Sequence, residues 1–113
     1  MGCVSAERID RAVPVIFQKL QGNGIFLYSE IYDGSERTHQ ELNMNLGADD
    51  HHCPAEILVD LAVFQLENAG FLETEPLGTK LADGENDYRV TITQKGRKFV
   101  KSGKIFRCES VDL

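Results

Sequence analysis

The stretch "LENAGFL", Leu66 to Leu72, decides the fold. It reads as a helix end that runs at once into a strand. Gly70 supplies the left-handed turn just past the helix, and Phe71 and Leu72 fold back onto it. Upstream, "PAEILVDLAVFQLENAG" is a helix, with Pro54 suited to its first position and Gly70 to its stop. Downstream, "FLETEP" reads as a strand, "LGTKLADGEN" as a turn-rich excursion and "DYRVTI" as a second strand. Thr93 then caps a last helix, "QKGRKFVKSG". The tail "KIFRCESVDL" reads as a further strand or as extended packing.

The N-terminal half is helical as well. Residues 5 to 21 carry Ile9, Val13, Ile16 and Leu20 on one face, with Ser5 as a cap and Glu7 in the positive first turn. Pro14 removes one backbone bond, so it should kink this helix or set its first turns apart. "QGNG" ends it, and "IFLYSEIY" at 25 to 32 reads as a short strand or extended link. "THQELNMNLG" at 38 to 47 is a compact helix. Thr38 is its expected cap, Glu41 would complete a Thr-x-x-Glu capping box, and Gly47 closes it. With 113 residues there is length for one domain with one core.

The order is helix, strand, helix, helix, hairpin, helix. "ELNMNLG", "LAVFQLENAGFLE" and "DYRVTITQKGRKFV" together resemble a winged-helix domain of the MarR/PadR-like kind. The resemblance covers roughly residues 38 to 101. It implies an α+β, mainly α, winged helix in a single domain over 1–113. One departure is the link at 48 to 53, which is longer than a tight helix-turn-helix turn. The resemblance further implies a transcription-regulator-like DNA-binding protein, dimeric, with the helix over 54–70 in the major groove and the hairpin as a wing. The nucleic-acid-binding candidates are then Arg37 and Thr38 at the second helix, and His51 and His52 at the entrance to the third. Lys80 and Arg89 belong to the wing, and Lys95, Arg97 and Lys98 to the last helix.

Charge weighs against that reading. The net charge is −6, so binding to phosphate needs a local basic patch. Residues 38 to 79 hold eight Asp or Glu and no Lys or Arg, while residues 93 to 107 hold six Lys or Arg and no acid. Glu56, Asp60 and Glu67 share one edge of the presumed recognition helix, and a carboxylate row facing phosphates is repulsive. The basic segment is either a phosphate-contacting surface or a solvated helix face. The alternative function is therefore an acidic winged-helix scaffold for protein association without DNA. The third helix is apolar around most of its circumference. It is either a central helix or, with the first helix, a dimer surface built from Ile9, Val13, Ile16, Val59 and Val63.

No enzyme, cofactor or metal is expected. "DDHHCP" at 49 to 54 holds metal-ligand residue types, but consecutive side chains do not readily chelate one tetrahedral ion. Two histidines there could at most give a mild pH response. No nucleophile elbow or Walker loop is present. The three cysteines are widely spaced and read as reduced thiols. No apolar run approaches the roughly 18 residues of a membrane span, and the N-terminus lacks a signal peptide's pattern, so a cytoplasmic location is expected.

Overall fold

The computed structural model describes residues 3–48 and 53–112. Its elements are β1 (Cys3–Val4), α1 (Ala6–Asp10), α2 (Val13–Leu20), β2 (Ile25–Leu27), α3 (Glu36–Leu46), α4 (Ala55–Asn68), β3 (Leu72–Lys80), β4 (Asn86–Ile92), α5 (Gln94–Ser102) and β5 (Val111–Asp112). A single 3-10 turn, Tyr28–Glu30, follows β2. The fold is α+β with more helix than strand. Its main sheet is antiparallel in the order β2-β4-β3, and a two-stranded ladder joins β1 to β5. Among the described residues no helix is long and apolar enough to cross a membrane.

The end of α4 follows from its sequence. Gly70 takes a φ of 86°. The Gly70 N–H donates to the Glu67 carbonyl at 2.9 Å, and the Phe71 N–H donates back to the Leu66 carbonyl at 3.0 Å. This crossed pair satisfies carbonyls that the helix end would otherwise leave open. Thr93 caps α5 as expected, accepting from the Gly96 N–H at 3.0 Å. Its hydroxyl also donates to the Gly70 carbonyl at 2.6 Å, and its N–H donates to the Phe71 carbonyl at 2.9 Å. The start of α5 is thus bonded directly to the end of α4. Gly96 packs on the Phe71 carbonyl so closely that no Cβ would fit.

Pro14 divides the N-terminal segment as expected, leaving α1 and α2 as separate pieces with Pro14 in the first turn of α2. α4 is the central helix and packs against α1, α2, α3 and β3. Ala55, Leu58, Val59, Ala62, Val63 and Leu66 are buried along it. Burying side chains of this kind stabilises by about 1.5–3 kcal/mol each for the larger ones. Of the two readings of its apolar circumference, the central helix is the observed one. Ile9, Val13, Ile16, Val59 and Val63, expected at a dimer surface, are all buried within one chain. The helices are short and need their apolar faces to cover α4, so these side chains are not surface that a partner could meet.

α3 begins earlier than expected. Ser35, not Thr38, is its cap: the Ser35 hydroxyl accepts from the Thr38 N–H at 3.3 Å. Thr38 is buried, and its hydroxyl donates to the Asp33 carboxylate at 2.8 Å. Glu41 stays exposed, 4.0 Å from Arg37, instead of closing a capping box. The reason lies just upstream. Asp33 accepts from the Ser35 N–H at 2.9 Å and fixes a turn that presents Ser35 to the helix start, with Glu36 in the first turn. These bonds, first of all those from Ser35, hold the Asp33 carboxyl down at about 2.

The hairpin is longer than expected and does not stand free. β3 runs to Lys80, with a register irregularity between Pro76 and Lys80. The turn after it folds back on the body. Leu81 is buried, the Ala82 N–H donates to the Asp33 carbonyl at 2.8 Å, and the Tyr32 hydroxyl donates to Asp83 at 2.6 Å. Gly34, at a φ of 87°, makes this approach possible, because a Cβ there would stand 2.5 Å from the Asp83 nitrogen. The tail is pinned too. Gln65 exchanges a reciprocal pair of hydrogen bonds with the Glu109 backbone at 2.7 and 2.6 Å, and the Cys108 N–H donates to Asp10 at 2.7 Å.

Two measurements check this account. Gly34→Ala combines an unfavourable backbone angle with a clash against the hairpin turn, so it should destabilise by on the order of 2 kcal/mol in denaturant unfolding. An unchanged midpoint would mean the turn is not docked. Asp33 has a depressed folded-state pKa, so its contribution is present above the ordinary carboxylate range and is lost as pH falls toward about 2. Asp33→Asn should therefore lower the melting temperature at neutral pH, with the deficit closing in strong acid.

Candidate functional site

The acidic edge of α4 is not a row presented to solvent. Each of its three carboxylates is held from within the chain. Glu56 meets the His39 Nδ1 of α3 at 2.8 Å. Asp60 accepts from the Tyr88 hydroxyl of β4 at 2.8 Å. Glu67 accepts from the Thr74 hydroxyl at 2.8 Å and from its N–H at 3.2 Å. The edge that sequence reasoning took for a bare acidic stripe is the seam between α4, α3 and the sheet.

Between the first half of α4, the 3-10 turn and the folded-back hairpin lies a cavity of about 390 Å³. Its aromatic wall is Tyr28, Tyr32 and Tyr88, with Tyr28 and Tyr88 stacked at 4.7 Å and Tyr32 edge-on to Tyr28 at 6.0 Å. Glu56 and Asp60 line it from α4, and Asp83 and Glu85 from the hairpin turn. Among the described residues no Lys, Arg or His lines it. Burial and the neighbouring acids push the Tyr28 and Tyr88 hydroxyls far above the usual tyrosine range. The Asp60 carboxyl is raised from its ordinary value, chiefly because the packing around it removes water, and against the pull of its hydrogen bond from Tyr88. Its outer edge remains exposed.

A second recess, about 480 Å³, lies along the second half of α4. Leu61, Phe64 and Ala69 meet Phe106 and Val111 of the tail there. Phe64 is 57% exposed, which is unusual for a phenylalanine on a central helix.

The described nucleic-acid candidates stand on α3, β3, β4 and α5. Thr38 is buried and committed to Asp33, so it is not available to a phosphate. His51 and His52 lie outside the described residues. Arg37 is exposed near Glu41. Arg89 pairs with Glu75 directly across the hairpin, and Lys80 donates to Asn86 at 2.6 Å. Lys95, Arg97 and Lys98 are exposed on α5. Lys95 sits 5.5 Å from the Phe71 ring centre, and Arg97 lies against Gly24. Lys80 and Lys95 flank opposite ends of β4, about 20 Å of strand apart. Sequence reasoning missed the tyrosine cavity. Its one visible signal was that the chain's three tyrosines all lie within the segments 25 to 32 and 87 to 92 that read as strands.

Among the described residues no three of His, Cys, Asp or Glu come together to hold a metal ion. Cys53 and Cys108 are both buried, and burial together with Asp10 raises the Cys108 thiol to about 12, which makes it a poor nucleophile.

The raised Asp60 carboxyl sets a pH dependence. A folded-state pKa above the unfolded value means that the native state binds this proton more readily. Ionised Asp60 therefore costs stability as pH rises through that window. Asp60→Asn keeps an acceptor for Tyr88 and removes the charge. It should melt higher than the wild type at neutral pH, with the advantage shrinking in acid. A variant that melts lower at neutral pH would show that the charged hydrogen bond outweighs the desolvation. No protein-family model, curated protein or solved structure matches this chain.

Proposed function

We propose that this chain is a winged-helix-type domain that serves protein association, and that it does not read DNA with α4 and the hairpin. The element order supports the winged-helix reading: two successive helices, then a hairpin that returns into a capped helix beside a third strand. One observation carries the functional half. The space between α4 and the hairpin, where a duplex would have to enter, is an acidic recess bordered by the folded-back turn. The hairpin itself carries five acids, Glu73, Glu75, Asp83, Glu85 and Asp87, against Lys80 and Arg89. Phosphate is repelled from such a face, and phosphate contacts supply most of the affinity in duplex complexes.

The surface left for association is the cleft around Phe64. Exposed apolar surface of this kind is commonly covered by a partner. A second copy of the chain is the simplest partner. Sedimentation equilibrium should give a mass above the 12.6 kDa of one chain, and Phe64→Ser should return it to that mass. A wild-type chain that stays monomeric at high concentration would rule out self-association.

A second reading keeps DNA but moves it to α5. Lys95, Arg97, Lys98 and Lys101 are exposed there, and no acid occurs from 93 to 107. In a gel shift with mixed duplex at low salt, the association reading expects no retarded band. A band that disappears when Lys95 and Lys98 are replaced by Glu would move the function to this helix.

A further inference from the structure

The tyrosine cavity has a consistent chemistry that association through the Phe64 cleft does not use. All three tyrosine hydroxyls spend their protons within the protein. Tyr28 donates to the Glu56 carbonyl at 3.2 Å, Tyr32 to Asp83 at 2.6 Å and Tyr88 to Asp60 at 2.8 Å. What remains for a guest is oxygen lone pairs, carboxylate edges and ring surface. Among the described residues the Asn86 amide is the one lining side chain that brings a free donor, and its own oxygen is taken by Lys80. A site that offers acceptors and aromatic surface, and is lined by four acids of which Glu56 is already paired with His39 behind it, selects a guest that is cationic and rich in donors.

The size of the guest follows from the same geometry. A compact ion needs several carboxylate oxygens converging on one point at about 2–2.6 Å. No three described acids do so. Two of them stand on α4 and two on the hairpin turn, across a cavity of about 390 Å³. That spacing suits an ammonium group on an alkyl stem, with the stem along the rings and the nitrogen among the carboxylates. Glu85 is the carboxylate best placed to respond: its backbone is bonded to Asp83 and Leu81, but among the described residues its side chain makes no hydrogen bond or ion pair.

We propose that the cavity walled by Tyr28, Tyr32 and Tyr88 and lined by Glu56, Asp60, Asp83 and Glu85 binds an alkylammonium group. The group is carried either by a free diamine or by a lysine side chain. Binding here does not depend on self-association, because the Phe64 cleft lies on the other half of α4.

The chain supplies its own probe. It has three tyrosines and no tryptophan, and every tyrosine lines this cavity, so tyrosine fluorescence reports the site alone. The full chain is titrated with putrescine, with N-acetyl-lysine amide and with the uncharged N-acetyl-norleucine amide, at constant ionic strength. A saturating change with a cation, absent with the norleucine compound, is expected. Asp60→Asn and, separately, the surface change Glu85→Gln should each weaken it on the order of tenfold. Whichever cation saturates at lower concentration identifies the source. The proposal is overturned if no cation gives a saturating change, if the norleucine compound or potassium chloride gives the same one, or if both variants bind as the wild type does. Because Glu85 is exposed, its variant remains informative even if Asp60→Asn folds poorly. A failed titration with an intact oligomer would leave the association reading standing, and the reverse result would separate them the other way.

Discussion

One threonine holds the two halves of the domain in register. The Thr93 hydroxyl donates to the carbonyl of Gly70 and accepts from the N–H of Gly96, so one oxygen closes α4 and opens α5. Its backbone N–H adds a bond to Phe71. Gly70 must reverse the chain, Phe71 must turn inward and Gly96 must lack a side chain for this contact to form. The aromatic cluster of Phe71 with Phe99 and Phe106 builds on it, as does the alignment of β3 with β4 from Leu72 and Ile92 onward. The cavity depends on it at one remove, because the same hairpin carries Tyr88 and the folded-back turn to α4.

The electrostatics of α4 make sense in that frame. An acidic central helix looks costly until each carboxylate is traced to a donor. His39, Tyr88 and Thr74 come from three different elements, and each is brought to α4 by packing. Hydrogen bonds to carboxylates of this kind fix orientation. The acids are therefore locating devices on the seam first. Only where the hairpin turn adds Asp83 and Glu85 does the acidity exceed what the seam can use.

Much of the fold was legible in the sequence, and the reason is that it is written in local signals. Gly70, Thr93, Gly47 and Pro14 act through their own backbone and the next few residues, and each behaves as its neighbours dictate. The α3 start was misread because two caps competed within four residues, and the winner was chosen by Asp33, outside the capping pattern. The α4 periodicity marked which residues are apolar but not whether one chain or two would cover them. Ile9, Val13, Ile16, Val59 and Val63 proved to be covered by one. The cavity was hidden because its walls come from residues 28 to 88. Their meeting rests on a bond between Tyr32 and Asp83, 51 positions apart. No periodicity encodes that.

The small ladder of β1 with β5 has a kinetic meaning. Cys3 pairs with Asp112, and Val4 with Val111, so two residues on each side close a loop of almost the whole chain. Loop-closure entropy grows only slowly with length, but it has to be overcome before the contact gives anything back. So short a ladder gives little back unless the tail is already aligned. Gln65 and Asp10 provide that alignment by holding Glu109 and Cys108 against the helices. The ends are thus a clasp that shuts last on a finished core and opens first. A chain can lose it transiently while α4 and the sheet remain assembled.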